Sequence, residues 1–326
     1  MKKFTIYALL MFSIFSCFRK KTPTQKGVES ELERMFPGQF QVVLSNLKML
    51  DVMALYKGEK QALIGDKADP EVQFLLDWSK GTESAGFDSS TVTAAHERSK
   101  AHVAQARALF KLLKNKGLDK FSVGVIHPAA YIQVFMEPTP ATRKQTLEIV
   151  KAVLDERAEQ DQTSIFLEFM EASSFHSEFK DIIPYGHWKT GRSWQDDHKI
   201  MSLDFEWDRA LELPELMRHW ELTPVSKRNS EYTDLARQQA MEWAEKNLPK
   251  PYFMPANRPY TYDIPETEDP SIRFGFPYYD QKLPEETSHE DPEPKGYVVG
   301  TYSFDQKVFT KLKEQAEFTS EGTLDQ

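Results

Sequence analysis

Apolar positions along this chain recur at two periods, three to four residues and two residues, and each change of period marks an element. Glu29 to Phe36 predicts a short helix. Phe40 to Leu44 and Val52 to Tyr56 predict strands, and Lys57-Gly58-Glu59 turns the chain into a further strand at Gln61 to Ile64. Asp69-Pro70 predicts the start of a helix running to about Trp78, because Asp69 can accept from free N–H groups and Pro70 sits where its missing donor costs nothing. Residues 80–90 are rich in Gly and Ser and predict a linker. From Val92 to Asn115 the spacing predicts a long Ala-rich helix with Val103, Ala106, Phe110 and Leu113 on one face, stopped at Gly117. Phe121, Val123 and Val125 alternate, as do Ile132, Val134 and Met136, predicting two strands joined through His127-Pro128-Ala129-Ala130. Thr139-Pro140 opens a helix with Leu147, Val150 and Leu154 on its stripe, and Ile165, Leu167 and Phe169 form the next strand.

The second half is patterned differently. Phe175 to Lys199 has weak periodicity. Asp208 to Trp220 and Glu231 to Leu248 predict helices, the latter offering Leu235, Met241 and Trp243 for packing. Pro249 to Pro294 carries ten prolines, a density that predicts no lasting regular element. Its tyrosines predict that it packs on its own domain or on a partner. Tyr297 to Phe304 alternates as a last strand, and Asp305 predicts a helix cap with a helix to about Phe318. The order implies an α+β fold, with antiparallel strands and hairpins, helices on one face, and a more irregular Pro/Tyr-rich C-terminal half. The expected organisation is a signal peptide over 1–16, a tether over 17–27, an α+β domain over 28–175 and a helical or irregular domain with a C-terminal strand and helix over 176–326. The helix–strands–helix order of Glu29 to Trp78 resembles that of the segment from Val92, a degenerate repeat without alignable residues.

The first residues change this picture. Met1-Lys2-Lys3 precedes an apolar run from Phe4 to Phe18, the layout of a secretory signal, and shorter than the roughly 20 apolar residues of a membrane span. The run ends in Ile14-Phe15-Ser16-Cys17. This resembles the lipobox of bacterial lipoproteins, although Phe15 stands where a small residue is usual. The resemblance implies cleavage before Cys17, lipid on its thiol, and a membrane held through that lipid. Arg19, Lys20 and Lys21 follow directly, positive charge that resists translocation. No acidic run follows Cys17, which leans toward the periplasmic side of the envelope. Cys17 is the single Cys, so a body without it has no internal disulfide and rests on its core.

Charge narrows the partners. The chain has 41 Lys+Arg against 50 Asp+Glu, a net charge of −9, and removing Lys2 and Lys3 with the signal lowers it to −11. Such an acidic body is a poor match for nucleic-acid phosphates or anionic lipid surfaces. An envelope protein or a glycan is the expected partner.

Candidate chemistry concentrates in one stretch. His187, Trp188, Arg192, Trp194, Asp196, Asp197 and His198 combine flat indole faces, which stack on sugar C–H surfaces, with directed hydrogen-bonding groups. They are the candidate ligand-binding residues. Glu168 or Glu171, ending the preceding strand, can add a carboxylate. His176 and His187 are eleven apart, HExxH and CxxC are absent, and no metal or other cofactor is expected. Without a thiol beyond Cys17 or a Gly-x-Ser-x-Gly elbow, nucleophilic catalysis has no motif. The expectation is a non-catalytic envelope lipoprotein acting as a binding or accessory subunit. The alternative is a hydrolase of envelope or exported polymers, with its site in 176–198.

Overall fold

Residues 23–47, 59–79, 87–156, 164–175, 181–184, 198–207, 212–222, 227–253, 260–264, 269–280 and 293–318 are described by a computed structural model. The chain divides into two compact units, one drawn mainly from residues up to Val103 and the other mainly from Ala104 onward.

In the first unit α1 (Pro23–Met35) is followed by β1 (Phe40–Leu47), β2 (Glu59–Asp66) and β3 (Gln73–Ser79), an antiparallel sheet in that order, and by the opening turns of α2 (Ser89–Asn115). Alternate residues face one core: Phe40 and Val42, Ala62 and Ile64, and Phe74 and Leu76, joined by Val28 and Leu32 of α1 and Val92 of α2. Ala62 stands opposite Leu76 and Ile64 opposite Phe74 across the ladder. Residues 73–79 are thus a strand, not the end of the helix expected from Asp69 to Trp78. Asp69 accepts from the Glu71 N–H and its carbonyl from the Val72 N–H, so it makes a turn into β3. The expected strand at Val52 to Tyr56 lies outside the described residues.

The helix expected from Val92 to Asn115 is found as α2, with Val103 buried, and in the second unit its Ala106, Leu109 and Leu113 are buried and Phe110 stacks on Phe121 at 4.6 Å. The hairpin β4 (Phe121–Ile126) and β5 (Ala129–Val134) follows, then α3 (Pro140–Glu156), β6 (Ser164–Met170), β7 (Lys199–Glu206), the single turn α4 (Leu213–Leu216) and β8 (Glu221–Leu222). These strands form a sheet in the order β4-β5-β6-β7-β8. β5 and β6 are parallel, with α3 as the crossover, and the other pairs are antiparallel. Val123 also bonds the backbone of residues 181–183, which lengthens the sheet at its β4 edge. One face carries Phe121, Val123, Ile132, Val134, Leu167 and Phe169, all buried, and closes the core. Of the helix expected over Asp208 to Trp220, only the turn α4 is found among the described residues.

The remainder builds a second antiparallel sheet, β12-β11-β10-β9, from β9 (Tyr260–Ile264), β10 (Ser271–Tyr278), β11 (Gly296–Ser303) and β12 (Val308–Gln315), with α5 (Lys227–Asn247) against it. Two expectations are corrected here. The proline-rich stretch does hold strands. Pro277 stands beyond Gly275, where β9 ends and only β11 remains as a neighbour. Residues 308–315 are a strand rather than the helix expected after Asp305. Asp305 is committed elsewhere, and Lys307, at φ 55°, turns the chain back along β11. The packing face of α5 also differs from expectation. Tyr232, Ala236, Ala240 and Ala244 are buried at every fourth position, while Met241 is exposed. The small Ala stripe lets the sheet approach, and Tyr232 stacks on Tyr302 at 4.9 Å.

Arg143 of α3, fully buried, ties this sheet to the rest of its unit. Its guanidinium donates to both Asp305 oxygens at 2.8 and 2.7 Å and to the Pro138 carbonyl at 2.9 Å. Asp269 accepts from the Asp305 N–H at 3.0 Å and from the Ser303 hydroxyl. The architecture is α+β.

Candidate functional site

The face of the five-stranded sheet opposite its core is polar. Register places Ser122, Gln133, Glu168, Ser202 and Glu221 side by side, one from each of β4 to β8. The neighbouring row holds Gly124, Tyr131, Phe166 and Asp204. The cause is period-two alternation: in β7, Met201 and Leu203 point into the core and Ser202 and Asp204 point away from it. Along the first row burial falls steadily. Ser122 and Gln133 are enclosed, Glu168 and Ser202 are half-buried, and Glu221 is exposed.

Gln133 Nε2 donates to Glu168 Oε2 at 2.8 Å, while its Oε1, also buried, has no hydrogen-bond partner among the described residues. Leaving a buried acceptor unsatisfied costs about 1–3 kcal/mol, so this carbonyl marks a place where a donor belongs. Lys199 Nζ lies 3.5 Å from the other Glu168 oxygen. The Asp204 carboxyl is pushed up to about 6, first by loss of surrounding water, then by the charges of Glu168 and Glu221, with Lys199 opposing. Asp204 nevertheless keeps an exposed surface, so solvent screens part of this crowding. Beside it, Tyr131 and Phe166 stack with centroids 4.7 Å apart and planes 10° from parallel.

At the end of the same strands, His198 Nδ1 stands 3.1 Å from Glu171 Oε2, and the Glu171 N–H donates to the His198 carbonyl at 2.9 Å. The structure thus brings His198 to the carboxylate that ends β6. The other candidates, His187, Trp188, Arg192, Trp194, Asp196 and Asp197, lie outside the described residues, as does Cys17. Gln133, Lys199, Asp204 and Glu221 were not among the candidates. The signal that could have found them is the alternation from Lys199 to Glu206, which reads as a strand with one polar face.

Two other features of the first unit compete for attention. His96 Nε2 lies 2.7 Å from Asp66 Oδ2; both residues are buried, and the His96 ring packs against those of Phe40 and Phe74. Burial works against the Asp66 charge, yet the Ala68 N–H and His96 outweigh it and hold the carboxyl below its ordinary range. With both partners satisfied and buried, the pair is structural. A groove of about 370 Å³ lies against α1 and β1, and its Lys67 stands 4.0 Å from Glu33. Among the described residues no group of three His, Cys, Asp or Glu side chains converges to hold a metal ion.

No protein-family model matches this chain, and no curated protein matches it. Among solved structures it is similar to a DUF5037 family protein from Ruminococcus gnavus ATCC 29149, at 11% sequence identity and a TM-score of 0.36, over 59% of this chain and 96% of that one. A likeness at this level carries no argument about fold or function.

Proposed function

We propose that this protein is a non-catalytic binding or accessory subunit of a bacterial envelope, held to the membrane by lipid on Cys17 and facing the periplasm. Its ligand lies on the polar row of the five-stranded sheet. The observation that carries the binding site is the enclosed Gln133 carbonyl, without a donor among the described residues, set in a row of hydrogen-bonding groups that opens toward solvent at Glu221. Sites of this kind combine a few directed polar groups with aromatic surface, here the Tyr131–Phe166 pair. The lipid rests on the lipobox-like Ile14-Phe15-Ser16-Cys17.

Two measurements test the reading. Cells fed labelled fatty acid should label the wild-type chain, and Cys17→Ala should lose both the label and partition into detergent. A Cys17→Ala chain that still partitions removes the lipid anchor. A thermal-shift screen of the purified protein against soluble envelope components should yield a ligand that raises the Tm of wild type but not of Glu168→Ala. Ligands that stabilise both proteins equally place binding elsewhere.

A hydrolase is the second reading, favoured by Asp204: a carboxyl held at about 6 beside a second carboxylate is suited to donate a proton near neutral pH. Release of new chain ends from an envelope polymer, with a pH profile that loses its limb near 6 in Asp204→Asn, would replace the non-catalytic reading. His198→Ala and Glu171→Ala complete that comparison.

A further inference from the structure

On the polar face the carboxylates and the Gln133 carbonyl leave acceptors in excess of the donors, which include the Ser202 hydroxyl and the Lys199 ammonium. Gln133 Oε1 is an acceptor with no partner among the described residues. The carboxylates of Asp204 and Glu221 accept no hydrogen bond among the described residues, and Glu168 accepts one from Gln133. The charged groups on this face are Glu168 on β6, Lys199, Asp204 and Glu206 on β7, and Glu221 on β8, with none from β4 or β5. Glu206 accepts from the Ser164 hydroxyl at 2.6 Å. Among the described residues this leaves Lys199 as the single cation around Asp204 beside several carboxylates, an excess that agrees with the upward displacement of its carboxyl.

A ligand matched to this excess donates hydrogen bonds and brings positive charge. An ammonium offers three donors and no acceptor, and its bonds to carboxylates are strengthened by charge. The described residues contain no three-ligand cluster for a bare metal ion. The row also has length. Gln133 and Glu221 are three strands apart, and neighbouring strands are about 4.8 Å apart, so the acceptors span about 14 Å. One small amine cannot satisfy both ends. An aliphatic chain with an amine near each end can, its CH₂ groups lying against the half-buried Tyr131 and Phe166 rings and its charge favoured by their faces.

We infer that the polar row binds an elongated organic polycation, protonated amines spaced along an aliphatic chain, with one amine at Gln133 and Glu168 and another at Asp204 and Glu221. This rests on the reading of the row as a binding site. The same chemistry comes from a free polyamine or from lysine side chains of a basic peptide.

The test is calorimetric titration of the full chain, solubilised in detergent, with spermidine, a tetralysine peptide, butylamine and Mg²⁺ as separate probes. Spermidine or tetralysine should bind, and butylamine should bind at least about tenfold more weakly because it reaches only one end. The tighter of the two polycations identifies the source. Affinity should fall about tenfold in Asp204→Asn and in Glu168→Gln, and several-fold in Gln133→Leu, which keeps shape but removes the acceptor. It should also weaken as pH falls below about 6, where Asp204 gains its proton. Asp204→Asn is at an exposed position and is expected to fold, and its unfolding curve verifies this. Polycation binding unchanged in both carboxylate variants, or Mg²⁺ competing as well as spermidine does, overturns the inference. No binding of any polycation at millimolar concentration overturns it as well. In that case a neutral ligand from the thermal-shift screen that depends on Glu168 leaves the binding reading standing, and the lack of any such ligand removes both.

Discussion

At the scale of single residues, Asp204 is the group whose environment conflicts most with its ordinary chemistry. Its folded carboxyl titrates near 6 and its unfolded one near the usual value of 3.8. Between those values the folded state holds more protons than the unfolded state, so this residue makes stability fall as pH rises from about 4 to about 6. Asp204→Asn removes that loss. We expect its Tm at pH 7.5 to exceed that of wild type by about 1–2 °C, and the difference to vanish near pH 4, as read by circular dichroism melts. The size is modest because the side chain still meets solvent. Asp66 behaves oppositely. Its carboxyl is held down, so its contribution is present above about pH 4 and is lost as pH falls through the folded value. None of these residues was marked by a motif. Gln133, Asp204 and Glu221 are ordinary polar residues of separate strands, and only the register across the sheet makes them neighbours. His198 and Glu171, 27 residues apart, were both named from their residue types and positions, and the fold sets them 3.1 Å from one another.

At the scale of elements, what a local pattern shows depends on what competes with it. The helix α2 and the hairpin β4–β5 were readable because alternation or helical spacing ran unbroken through them. Asp69-Pro70 was misleading because the same pair serves a helix start and a turn. The alternation of Phe74 and Leu76, both buried, decides for the strand. Asp305 misled for a different reason: its carboxylate is claimed by Arg143, 162 residues away. In α5 the large residues drew attention from the alanines that do the packing. A comparable economy of size operates between β11 and β12. A Cβ on Gly300 would lie 2.6 Å from the Phe309 ring and 3.0 Å from the Thr310 carbonyl oxygen. Phe309 is itself held edge-on between Phe274 and Phe276, with centroids 6.1 and 5.9 Å away. The ring has no free direction in which to yield. Gly300→Ala should therefore destabilise the protein by about 1–3 kcal/mol in urea titration, and a nearly neutral result would mean that β12 shifts freely on its neighbour.

At the scale of the whole molecule, the α+β class was legible from the order of elements. The pairing of strands was not, because β5 and β6 are joined in parallel through α3 and the last sheet is assembled from a proline-rich stretch. The contact that spans the second unit joins the fully buried Arg143 to the partly exposed Asp305. Removing Asp305 leaves the enclosed Arg143 guanidinium uncompensated in the interior, so Asp305→Ala should cost about 3–5 kcal/mol in denaturant unfolding. Replacing both partners, as Arg143→Met with Asp305→Leu, should recover most of that loss. If the double variant is as unstable as the single one, the contact matters through its further bonds to Pro138 and Asp269 rather than through charge. The same contact sets an order of events. A ribosome adding about 5–20 residues per second makes Arg143 some 8–30 s before Asp305. During that interval the Arg143 guanidinium of α3 has the Pro138 carbonyl but not its carboxylate, and the second unit cannot complete this contact until the turn between β11 and β12 has been made. For a chain proposed to cross a membrane before folding, that lag is a clock for the second unit alone: its last sheet cannot be tied to α3 until the final hairpin has been synthesised.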